Sequence, residues 1–425
     1  MELMRNRVRP YAWGSRTAIA ELLGEPSPAP HPQAELWIGA HPADSSVLLD
    51  PDTPAGGPVG GTVGGGRGGR PDDSGRPLVE VIAADPVGTM GEPVHRRFGA
   101  RLPFLLKVLA AAEPLSLQAH PSSAQAERGF ALEEAAGIPL SSPQRNYRDR
   151  WHKPELICAL TEFEALCGFR EPSRTVHLLA ALEVPALDHY LGLLSGQPDE
   201  HGTRALFSSL ITIPPSTLGP LLADVLAACV RRVQRGTEIG TEFDAEYRTA
   251  LALGERYPGD PGVLASLLLN RITLQPGQAL YLPGGNLHAY LAGVGIEIMA
   301  NSDNVLRGGL TPKHVDVGEL MKVLDFGPGD QPILHGDPGA PGEWVYRTPA
   351  PEFRLSRIEP GPDGLEITHA GPQVLLVVDG TIEVTDGRGR TVSVPRGRSL
   401  WIGAHEGPVR VVGSGTAFRA TDGLS

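Results

Sequence analysis

The stretch that decides the fold class runs from Ile272 to Leu291 and reads Ile-Thr-Leu-Gln-Pro-Gly-Gln-Ala-Leu-Tyr-Leu-Pro-Gly-Gly-Asn-Leu-His-Ala-Tyr-Leu. Its first three residues and Ala279-Leu-Tyr-Leu have the length and composition of short strands, and Gln275-Pro-Gly-Gln between them is typical of a turn. The later pair of glycines permits a second tight turn, which would present His288 at the mouth of a barrel. We therefore predict that a β-sheet region occupies this part of the chain.

About a hundred residues before this stretch have helical lengths and helical spacing instead. Several of these segments begin with Ser, Thr or Pro, which are common start signals of helices. The predicted helices are Ser173–Leu182, Leu187–Leu194, Thr217–Val233, Phe243–Glu255 and Pro261–Leu269. The β region therefore resumes after a helical insertion.

Strand patterns also occur on the N-terminal side of the helical block. Leu102 to Leu109 is an apolar run interrupted by Lys107, and Glu113 to His120 alternates as a strand does. Arg16 to Leu23 predicts a short helix. Pro51 to Gly75 consists mostly of Gly, Pro, Asp and Ser, a composition that cannot bury apolar surface, and we predict a flexible surface loop there.

The C-terminal part has the pattern of a second, smaller all-β unit. After Trp344, short strands such as Val374–Val378, Thr381–Thr385 and Thr391–Val394 are separated by Asp-Gly and Gly-rich turns. No cluster of metal-ligating residues is evident in this part of the sequence, so we assign the unit a structural role.

The chain of 425 residues is too long for one ordinary core, and its 53 Gly and 41 Pro residues favour turns over long helices. We therefore predict a mainly β fold with a helical insertion. Residues 1–170 and 270–330 are expected to form a catalytic β domain, 171–269 a helical domain, and 335–425 a C-terminal β domain.

Charge and composition exclude several classes of function. A formal net charge of -12 without a long basic run argues against nucleic-acid binding, although two or three local cations would suffice for a small anionic substrate. We expect no membrane partner and a cytoplasmic location, because neither a long apolar stretch nor the apolar core of a signal peptide is evident. Three cysteines without Cys-x-x-Cys spacing support neither a disulfide framework nor a thiolate zinc finger. We expect a monomer, because no apolar stripe is evident.

Gln118 and His120 are the first candidate metal ligands, because residues two apart on a strand project from the same face. Glu155, in His152-Lys-Pro-Glu, and His288 would complete a mixed set of nitrogen and oxygen ligands. Such a set suits a borderline divalent ion, with zinc as the first expectation and an open position for substrate. Taken one at a time, the residues also have ordinary interpretations, such as a turn cap or a salt bridge between Lys153 and Glu155.

The second candidate segment runs from Glu297 to Lys313. It combines the carboxylate of Asp303 and the cations Arg307 and Lys313 with two glycines that would let the backbone approach a ligand closely. This combination suits an oxyanion or a phosphate. The alternative is a polar loop whose charges pair among themselves.

Together these segments resemble the type I mannose-6-phosphate isomerase family, zinc enzymes built on the cupin barrel. The blocks are ordered and spread over the first three quarters of the chain. They are Arg9-Pro-Tyr-Ala-Trp-Gly, Glu35-Leu-Trp-Ile-Gly-Ala-His-Pro, Pro103-Phe-Leu-Leu-Lys-Val-Leu, Leu115-Ser-Leu-Gln-Ala-His-Pro, His152-Lys-Pro-Glu, Tyr281 to Leu291 and Asn301 to Val317. Their joint occurrence is far more specific than any one of them.

The resemblance implies a cupin or jelly-roll catalytic barrel, a helical domain and a C-terminal jelly-roll-like domain. It implies one zinc ion per chain, held by Gln118, His120, Glu155 and His288. The residues that it places around a sugar phosphate are Trp13, Lys107, Ser116, Lys153, Tyr290, Glu297, Asp303, Arg307 and Lys313. The sequence departs from the family pattern in its Gly-rich loop and in Trp151, where a small polar residue such as Asn is expected.

The implied reaction interconverts mannose 6-phosphate and fructose 6-phosphate through a metal-stabilised enediol, with Arg307 adding a second positive charge. The base that moves the proton between C2 and C1 is left open among Lys153, Glu297, Asp303 and a metal-bound water. His152 is a candidate for assisting ring opening. Ser116, Lys107 and Lys313 are candidates for the phosphate.

Two other functions compete with this hypothesis. One is a different cupin metalloenzyme, using iron for oxidation or acting on another sugar phosphate, against which the Gln ligand and the cation pair speak. The other is a non-catalytic sugar-sensing cupin, which would be expected to lack a ligand or the cations. All of these residues are present in the sequence.

Overall fold

The structure is a computed structural model that describes residues 1–49, 61–62, 75–239, 242–329 and 331–424. Nearly all of the predicted Gly-rich loop, Pro51 to Gly75, lies outside the described residues. Among the described residues, helix and strand occur in about equal shares, roughly 31% each, and the sheets are mostly antiparallel. The helical share is larger than the mainly β prediction implied, because several helices outside the insertion were not predicted.

The N-terminal part alternates short strands with short helices. Its strands are β1 (Glu2–Arg5), β2 (Arg7–Arg9), β3 (Glu35–Ile38), β4 (Val47–Leu48), β5 (Gly61–Thr62), β6 (Arg76–Pro77), β7 (Phe104–Ala111), β8 (Leu117–Ala119), β9 (Glu155–Ala159) and β10 (Phe163–Phe169). Its helices are α1 (Ala18–Leu23), α2 (Leu78–Ala84), α3 (Pro86–Met90), α4 (Glu92–Phe98) and α5 (Ser123–Ala135). The strand predicted around Lys107 and the helix predicted before Leu23 are confirmed.

The helical block begins directly after β10. Its helices are α6 (Pro172–Ala180), α7 (Asp188–Gly196), α8 (Glu200–Ile211), α9 (Pro215–Ile239), α10 (Asp244–Arg256) and α11 (Gly262–Ser266). Five of them match the predicted helices with shifted ends, whereas α8 was missed because its first turn is polar. The Asp199 side chain caps α8 by accepting hydrogen bonds from the backbone of His201 and Gly202. Within the described residues, no single helix is long and apolar enough to cross a membrane, and only the bent pair α8–α9, with 109° between its parts, passes that test by length and composition.

The rest of the chain is dominated by strands. They are β11 (Leu269–Leu274), β12 (Ala279–Leu282), β13 (His288–Ala300), β14 (Leu306–Gly309), β15 (Asp337–Pro338), β16 (Glu343–Tyr346), β17 (Arg354–Ile358), β18 (Leu365–Ile367), β19 (Gln373–Asp386), β20 (Thr391–Pro395), β21 (Ser399–Ile402) and β22 (Val409–Thr421). One further helix, α12, spans Val317–Val323. Strand character therefore returns after the helical block, as predicted.

Strand β19 corrects one prediction. Val374–Val378 and Thr381–Thr385 were predicted as two strands separated by an Asp-Gly turn, but they form one strand with a register shift between Val377 and Asp379. Gly380 sits just beyond this bulge with a φ of 68°, a conformation that favours glycine. The long partner strand β22 pairs with both halves of β19, so the chain bends through a bulge there and does not reverse.

Two large sheets organise the described strands. The first has the order β11-β10-β13-β7-β3-β2-β5, with β8, β9, β12 and β14 attached beside β13. The second has the order β15-β16-β17-β22-β19-β21-β1-β4-β6. In the second sheet, Met4 of β1 pairs with Ser399 of β21. Three N-terminal strands, β1, β4 and β6, therefore extend the sheet that contains the C-terminal strands.

The two sheets share a hydrophobic core. One cluster of buried side chains contains Met4, Leu106 and Leu156 from the N-terminal part together with Phe353 and Trp401 from the C-terminal part. Burial of apolar surface in one cluster couples both sheets, because neither can move away without exposing it to water. The second sheet thus packs against the first sheet, which carries the candidate site residues.

Candidate active site

The register of the first sheet brings the predicted site residues together. Gln118 of β8 pairs with His288 of β13 on one side and with Arg307 of β14 on the other. Farther along β13, Glu297 pairs with Lys107 of β7. Residues separated by up to 190 positions in the sequence thereby occupy adjacent positions in one sheet.

His120, Glu155 and His288 form a buried cluster that could hold a metal ion. The Oε2 atom of Glu155 lies 3.4 Å from Nε2 of His120 and 3.5 Å from Nε2 of His288. One potential ligand atom from each residue lies within 4.8 Å of the others. All three atoms are buried without a hydrogen-bond partner. Because buried polar atoms are normally satisfied, three orphaned atoms facing one point fit a bound cation.

The other nitrogen of each histidine is fixed by a backbone carbonyl. Nδ1 of His120 lies 2.7 Å from the carbonyl oxygen of Asn304, and Nδ1 of His288 lies 3.1 Å from that of Asn286. A carbonyl oxygen can only accept, so Nδ1 carries the hydrogen in both rings. The lone pair is therefore on Nε2, the atom that faces Glu155, which is the arrangement of histidine ligands held by outer hydrogen bonds.

The predicted glycine turn joins the two histidine segments. Gly285 has a φ of 84° and its backbone N–H donates to the carbonyl oxygen of His120 at 2.8 Å. A Cβ atom on Gly284 would lie only 3.2 Å from the backbone of Pro121 and Ser122. Close approach of the two backbones thus requires this glycine pair.

Charges around the cluster keep its ligand atoms free of protons. Burial alone would raise the pKa of Glu155, but Lys153, whose Nζ lies 2.9 Å from Oε1, holds the pKa well below its ordinary value. Burial lowers the pKa of His120 to about 4. The carboxylate form of Glu155 and the neutral form of His120 are the forms that bind a metal. The salt bridge that the sequence suggested between Lys153 and Glu155 is thus present, but it involves only the Oε1 atom of the carboxylate.

A cavity of about 550 Å³ opens above this cluster. Its lining includes all the predicted site residues except His120, His152 and His288. The two metal-site histidines are buried beneath it. His152 instead places Nε2 2.7 Å from Oε1 of Glu352, a residue of the C-terminal part. The structure thus gathers the predicted residues Trp13, Lys107, Ser116, Gln118, Lys153, Glu155, Tyr290, Glu297, Asp303, Arg307 and Lys313 around one space.

One wall of the cavity carries a buried charge group. Nζ of Lys107 lies 3.0 Å from Glu297 and 3.9 Å from Glu35. Burial alone lowers the pKa of Lys107, but the two carboxylates raise it above its ordinary value. The pKa of Glu297 is raised as well, because burial together with Glu155 and Glu35 outweighs Lys107. Lys107 is thus already engaged by carboxylates, which makes it a weaker phosphate ligand than the sequence suggested.

Tyr290 lies beside this group. It is 1% exposed, and its hydroxyl oxygen is buried without a hydrogen-bond partner. Burial, and then the carboxylates of Glu297 and Glu155, raise the pKa of Tyr290 well above its ordinary value. The hydroxyl therefore stays protonated and can donate a hydrogen bond to a ligand.

Part of the cavity lining has an excess of positive charge. Burial lowers the pKa of both Arg307 and Lys313, and the neighbouring Arg148 lowers both further. Within the described part of the chain, neither Arg307 nor Lys313 forms an ion pair with a carboxylate. Mutually repelling cations without counter-charges favour an anionic ligand. The alternative that Arg307 and Lys313 pair with Asp303 is not observed.

Asp303 lies at the rim of the cavity. Its Oδ1 atom is 3.3 Å from Nε2 of His41, and its side chain is 46% exposed. Although burial opposes the shift, His41 holds the pKa of Asp303 below its ordinary value. Its carboxylate therefore has a protein partner and is much more exposed than the carboxylate of Glu297.

The segment around Trp151 keeps its path through backbone contacts. The carbonyl oxygen of Trp151 accepts hydrogen bonds from Nδ2 of Asn304 at 2.8 Å and from Oγ of Ser302 at 3.1 Å. The indole is 37% exposed, and the Arg101 guanidinium lies 4.4 Å from its ring centroid. The large Trp151 side chain therefore does not disturb the path of the backbone into His152.

Several residues of the site were not singled out from the sequence. Glu35 and His41 lie in a quoted block, and the available signal for Glu35 was a charged residue at the start of an apolar strand. Asn304 is fully buried, and it fixes His120 through its carbonyl and residues 148–151 through its side chain. No local sequence pattern predicts that Asn304 fixes these residues, because both partners are distant from it in sequence.

Comparison with known proteins agrees with this geometry. The family description "Phosphomannose isomerase type I, catalytic domain" matches residues 1–55 and 67–172. The chain is 38% identical over 427 residues to mannose-6-phosphate isomerase of Escherichia coli K12, with 100% of both chains covered. It is 32% identical to the human mannose-6-phosphate isomerase over 94% of this chain and 92% of that protein.

Solved structures give the same result. A crystal structure of a phosphomannose isomerase variant from Salmonella typhimurium superposes with a TM-score of 0.85 at 35% identity, covering 99% of each chain. A zinc-bound mannose 6-phosphate isomerase superposes with a TM-score of 0.84 at 36% identity, also over 99% of each chain. Full-length similarity of sequence and fold leads to one conclusion: this chain belongs to the type I mannose-6-phosphate isomerase family.

Proposed function

We propose that this protein is a zinc-dependent aldose–ketose isomerase that interconverts D-mannose 6-phosphate and D-fructose 6-phosphate. The observation that carries the proposal is the juxtaposition of three orphaned, buried ligand atoms with a cavity whose lining includes the unpaired cations Arg307 and Lys313. The buried ligand atoms suit a metal ion, and the unpaired cations suit a phosphate. The names and zinc content of the relatives support the same reaction.

His120, Glu155 and His288 fit zinc, because their two imidazole nitrogens and one carboxylate oxygen are deprotonated and converge. We assign Gln118, the register neighbour of His288 and a cavity-lining residue, as the fourth ligand. When bound, zinc supplies Lewis-acid stabilisation of the negative charge that develops on the sugar oxygens. Glu155 also orients Lys153 toward the same region.

Proton transfer between C1 and C2 is assigned to the buried carboxylate of Glu297 rather than to Asp303. Glu297 lines the cavity, and its raised pKa suits a group that takes up and returns a proton. Asp303 has a lowered pKa and is paired with His41. Lys153 and Arg307 contribute positive charge on either side of the enediol, where it lowers the barrier.

The phosphate is assigned to Lys313 and Ser116. Both line the cavity, and Lys313 lacks a carboxylate partner among the described residues. An ammonium binds a phosphate dianion strongly, and a serine hydroxyl adds a short donor. Lys107 is assigned to the wall that positions Glu297.

The test is an assay that couples mannose 6-phosphate conversion to detection of fructose 6-phosphate, run before and after chelation and again after zinc is added back. We expect turnover to disappear with the metal and to return with it. Run in D₂O, the reaction should also place solvent deuterium on the transferred carbon. Full conversion by chelated, metal-free protein would contradict the metal assignment, and no conversion by zinc-loaded protein would contradict the substrate.

Lys313→Ala is expected to raise KM for mannose 6-phosphate by about tenfold to a hundredfold, because a charge-assisted hydrogen bond contributes roughly 1.5–3 kcal/mol. Initial rates over a range of substrate concentrations measure the change. Lys322→Ala is the matched control, since that side chain is 67% exposed and paired with Glu319 outside the cavity. If Lys313→Ala and Lys322→Ala have the same KM, the phosphate assignment is wrong.

The same family supports finer proposals on architecture. We infer that the first sheet closes into a cupin-type barrel around the metal cluster, with 171–269 as a helical domain and 335–425 as a jelly-roll-like domain. The three buried, free cysteines are in keeping with a cytoplasmic, reducing environment. The exposed large hydrophobic residues come from separate parts of the described chain, which favours a monomer, and light scattering should give a mass near 45.0 kDa.

A further inference from the structure

The segment from Trp151 to Glu155 makes a side-chain hydrogen bond to the C-terminal part of the chain. Nε2 of His152 lies 2.7 Å from Oε1 of Glu352, and the two residues are 200 positions apart. Glu352 belongs to the turn between β16 and β17. His152 directly precedes Lys153, and Glu155 follows two residues later. The C-terminal unit was predicted to have only a structural role. It nevertheless contacts the segment that carries the candidate metal ligand Glu155.

Glu352 is held in place by its surroundings. It is 8% exposed, and the next residue, Phe353, is fully buried in the core cluster that also contains Leu156. The carbonyl oxygen of Pro351 accepts a hydrogen bond from Gly423 at 3.0 Å. The turn therefore cannot shift without disturbing the core that is shared by both sheets.

The segment that receives the contact lacks regular secondary structure from Trp151 to Pro154. Asn304 holds its beginning at Trp151, and the carbonyl oxygen of Pro154 accepts a hydrogen bond from Ala300 at 3.0 Å. His152 lies between these two attachments. Its bond to Glu352 is the side-chain attachment that fixes the direction of the chain just before Lys153.

A purely stabilising role is a poor account of the pair. Oε2 of Glu352 is buried without a hydrogen-bond partner, so half of the carboxylate has lost water without compensation. An unsatisfied buried oxygen lowers the free energy of unfolding, which offsets much of what the contact contributes. Fixing a catalytic segment, in contrast, requires only one short, well-directed contact.

We propose that Glu352 is a positioning residue for the isomerisation, acting through His152 to orient the segment that bears Lys153 and Glu155. The inference rests on the proposed function. A displacement of about 1 Å at a reacting group can lower a rate by roughly a hundredfold, so loss of this contact should act on kcat. Substrate binding by Lys313, which makes no contact with this segment within the described residues, should change little.

The experiment compares zinc-loaded wild type, Glu352→Ala, His152→Ala and the double variant in the coupled assay. We expect Glu352→Ala to lower kcat about tenfold to a hundredfold, with KM changed less than about twofold and one zinc per chain retained. The double variant should be no slower than His152→Ala, because both changes remove one interaction. Glu352→Gln should keep kcat within about threefold of wild type, since its amide oxygen still accepts from Nε2.

Asp422→Ala is the matched control, because Asp422 makes the same type of contact, 2.7 Å to Nε2 of His369, away from the cavity. It should leave kcat unchanged. A kcat of Glu352→Ala within twofold of wild type, or losses that multiply in the double variant, would overturn the inference. If Glu352→Ala does not fold, Glu352→Asp provides the test, since the shorter side chain withdraws the carboxylate; a wild-type kcat in that variant would equally overturn it. An inactive wild type would instead contradict the proposed function.

Discussion

Glu155→Ala is expected to lose its zinc and to lower turnover by at least about a thousandfold, because a bound metal contributes several kcal/mol of transition-state stabilisation. The carboxylate lies between the two histidines, 3.4 and 3.5 Å from their Nε2 atoms. Without it, two neutral imidazoles and an amide remain, which is a much weaker ligand set. Metal analysis after dialysis and the coupled assay measure the two effects separately.

A readout independent of activity is available for the same variant. Added zinc should raise the melting temperature of the wild-type protein but not that of Glu155→Ala, because a ligand stabilises the folded state only where it binds. Glu127→Ala, on the exposed surface of α5, serves as the control and should keep both zinc and turnover. A Glu155→Ala protein that still holds one zinc per chain would show that the metal binds elsewhere.

Arg307→Ala is expected to keep its zinc and to lower kcat by about a hundredfold to a thousandfold, the usual effect of removing one group that stabilises developing negative charge. Arg307 pairs in register with Gln118, which places it one strand away from the metal cluster. Burial lowers the pKa of the Arg307 guanidinium, and no carboxylate offsets this effect. We therefore expect its charge to interact with a ligand. Steady-state kinetics of the zinc-loaded variant gives the result.

The split between kcat and KM decides the role of Arg307. A loss confined to KM would assign it to the phosphate alone, and a normal kcat would remove it from the chemical step. Arg248→Ala is the control, because that arginine is 53% exposed and pairs with Asp244 on helix α10. Arg307→Lys should restore part of the turnover, since it returns the charge but not the planar fork.

The candidate site was predictable to the extent that its residues lie in local patterns. Gln118 and His120 could be paired from the sequence because their spacing of two puts both on one face of a strand. The glycine pair before His288 predicted a turn, and Gly285 indeed makes the backbone bond to His120. Lys107 stood out as a charge within an apolar run, but its two carboxylate partners did not.

Predictions for the fold failed where a local signal had two meanings. Asp379-Gly380 is a common hairpin turn, but the same residues also suit a bulge, and the long partner strand β22 selected the bulge. Helix α5 begins with a capping box formed by Ser122 and Gln125, a signal that was present in the sequence but was not used. Strand β1 could not be assigned to its sheet, because its partner β21 lies nearly four hundred residues away.

The sequence by itself determined the ligand types, the helical insertion and the family, because these are encoded in residue identity, spacing and motif order over short distances. Only the tertiary structure decided that Glu297 and Glu35 share Lys107, that Asn304 fixes His120, and that Glu352 holds His152. Each of these contacts joins distant segments, and its existence depends on strand register and core packing. A shift of one residue in register turns every side chain to the opposite face, so no local pattern can specify such contacts.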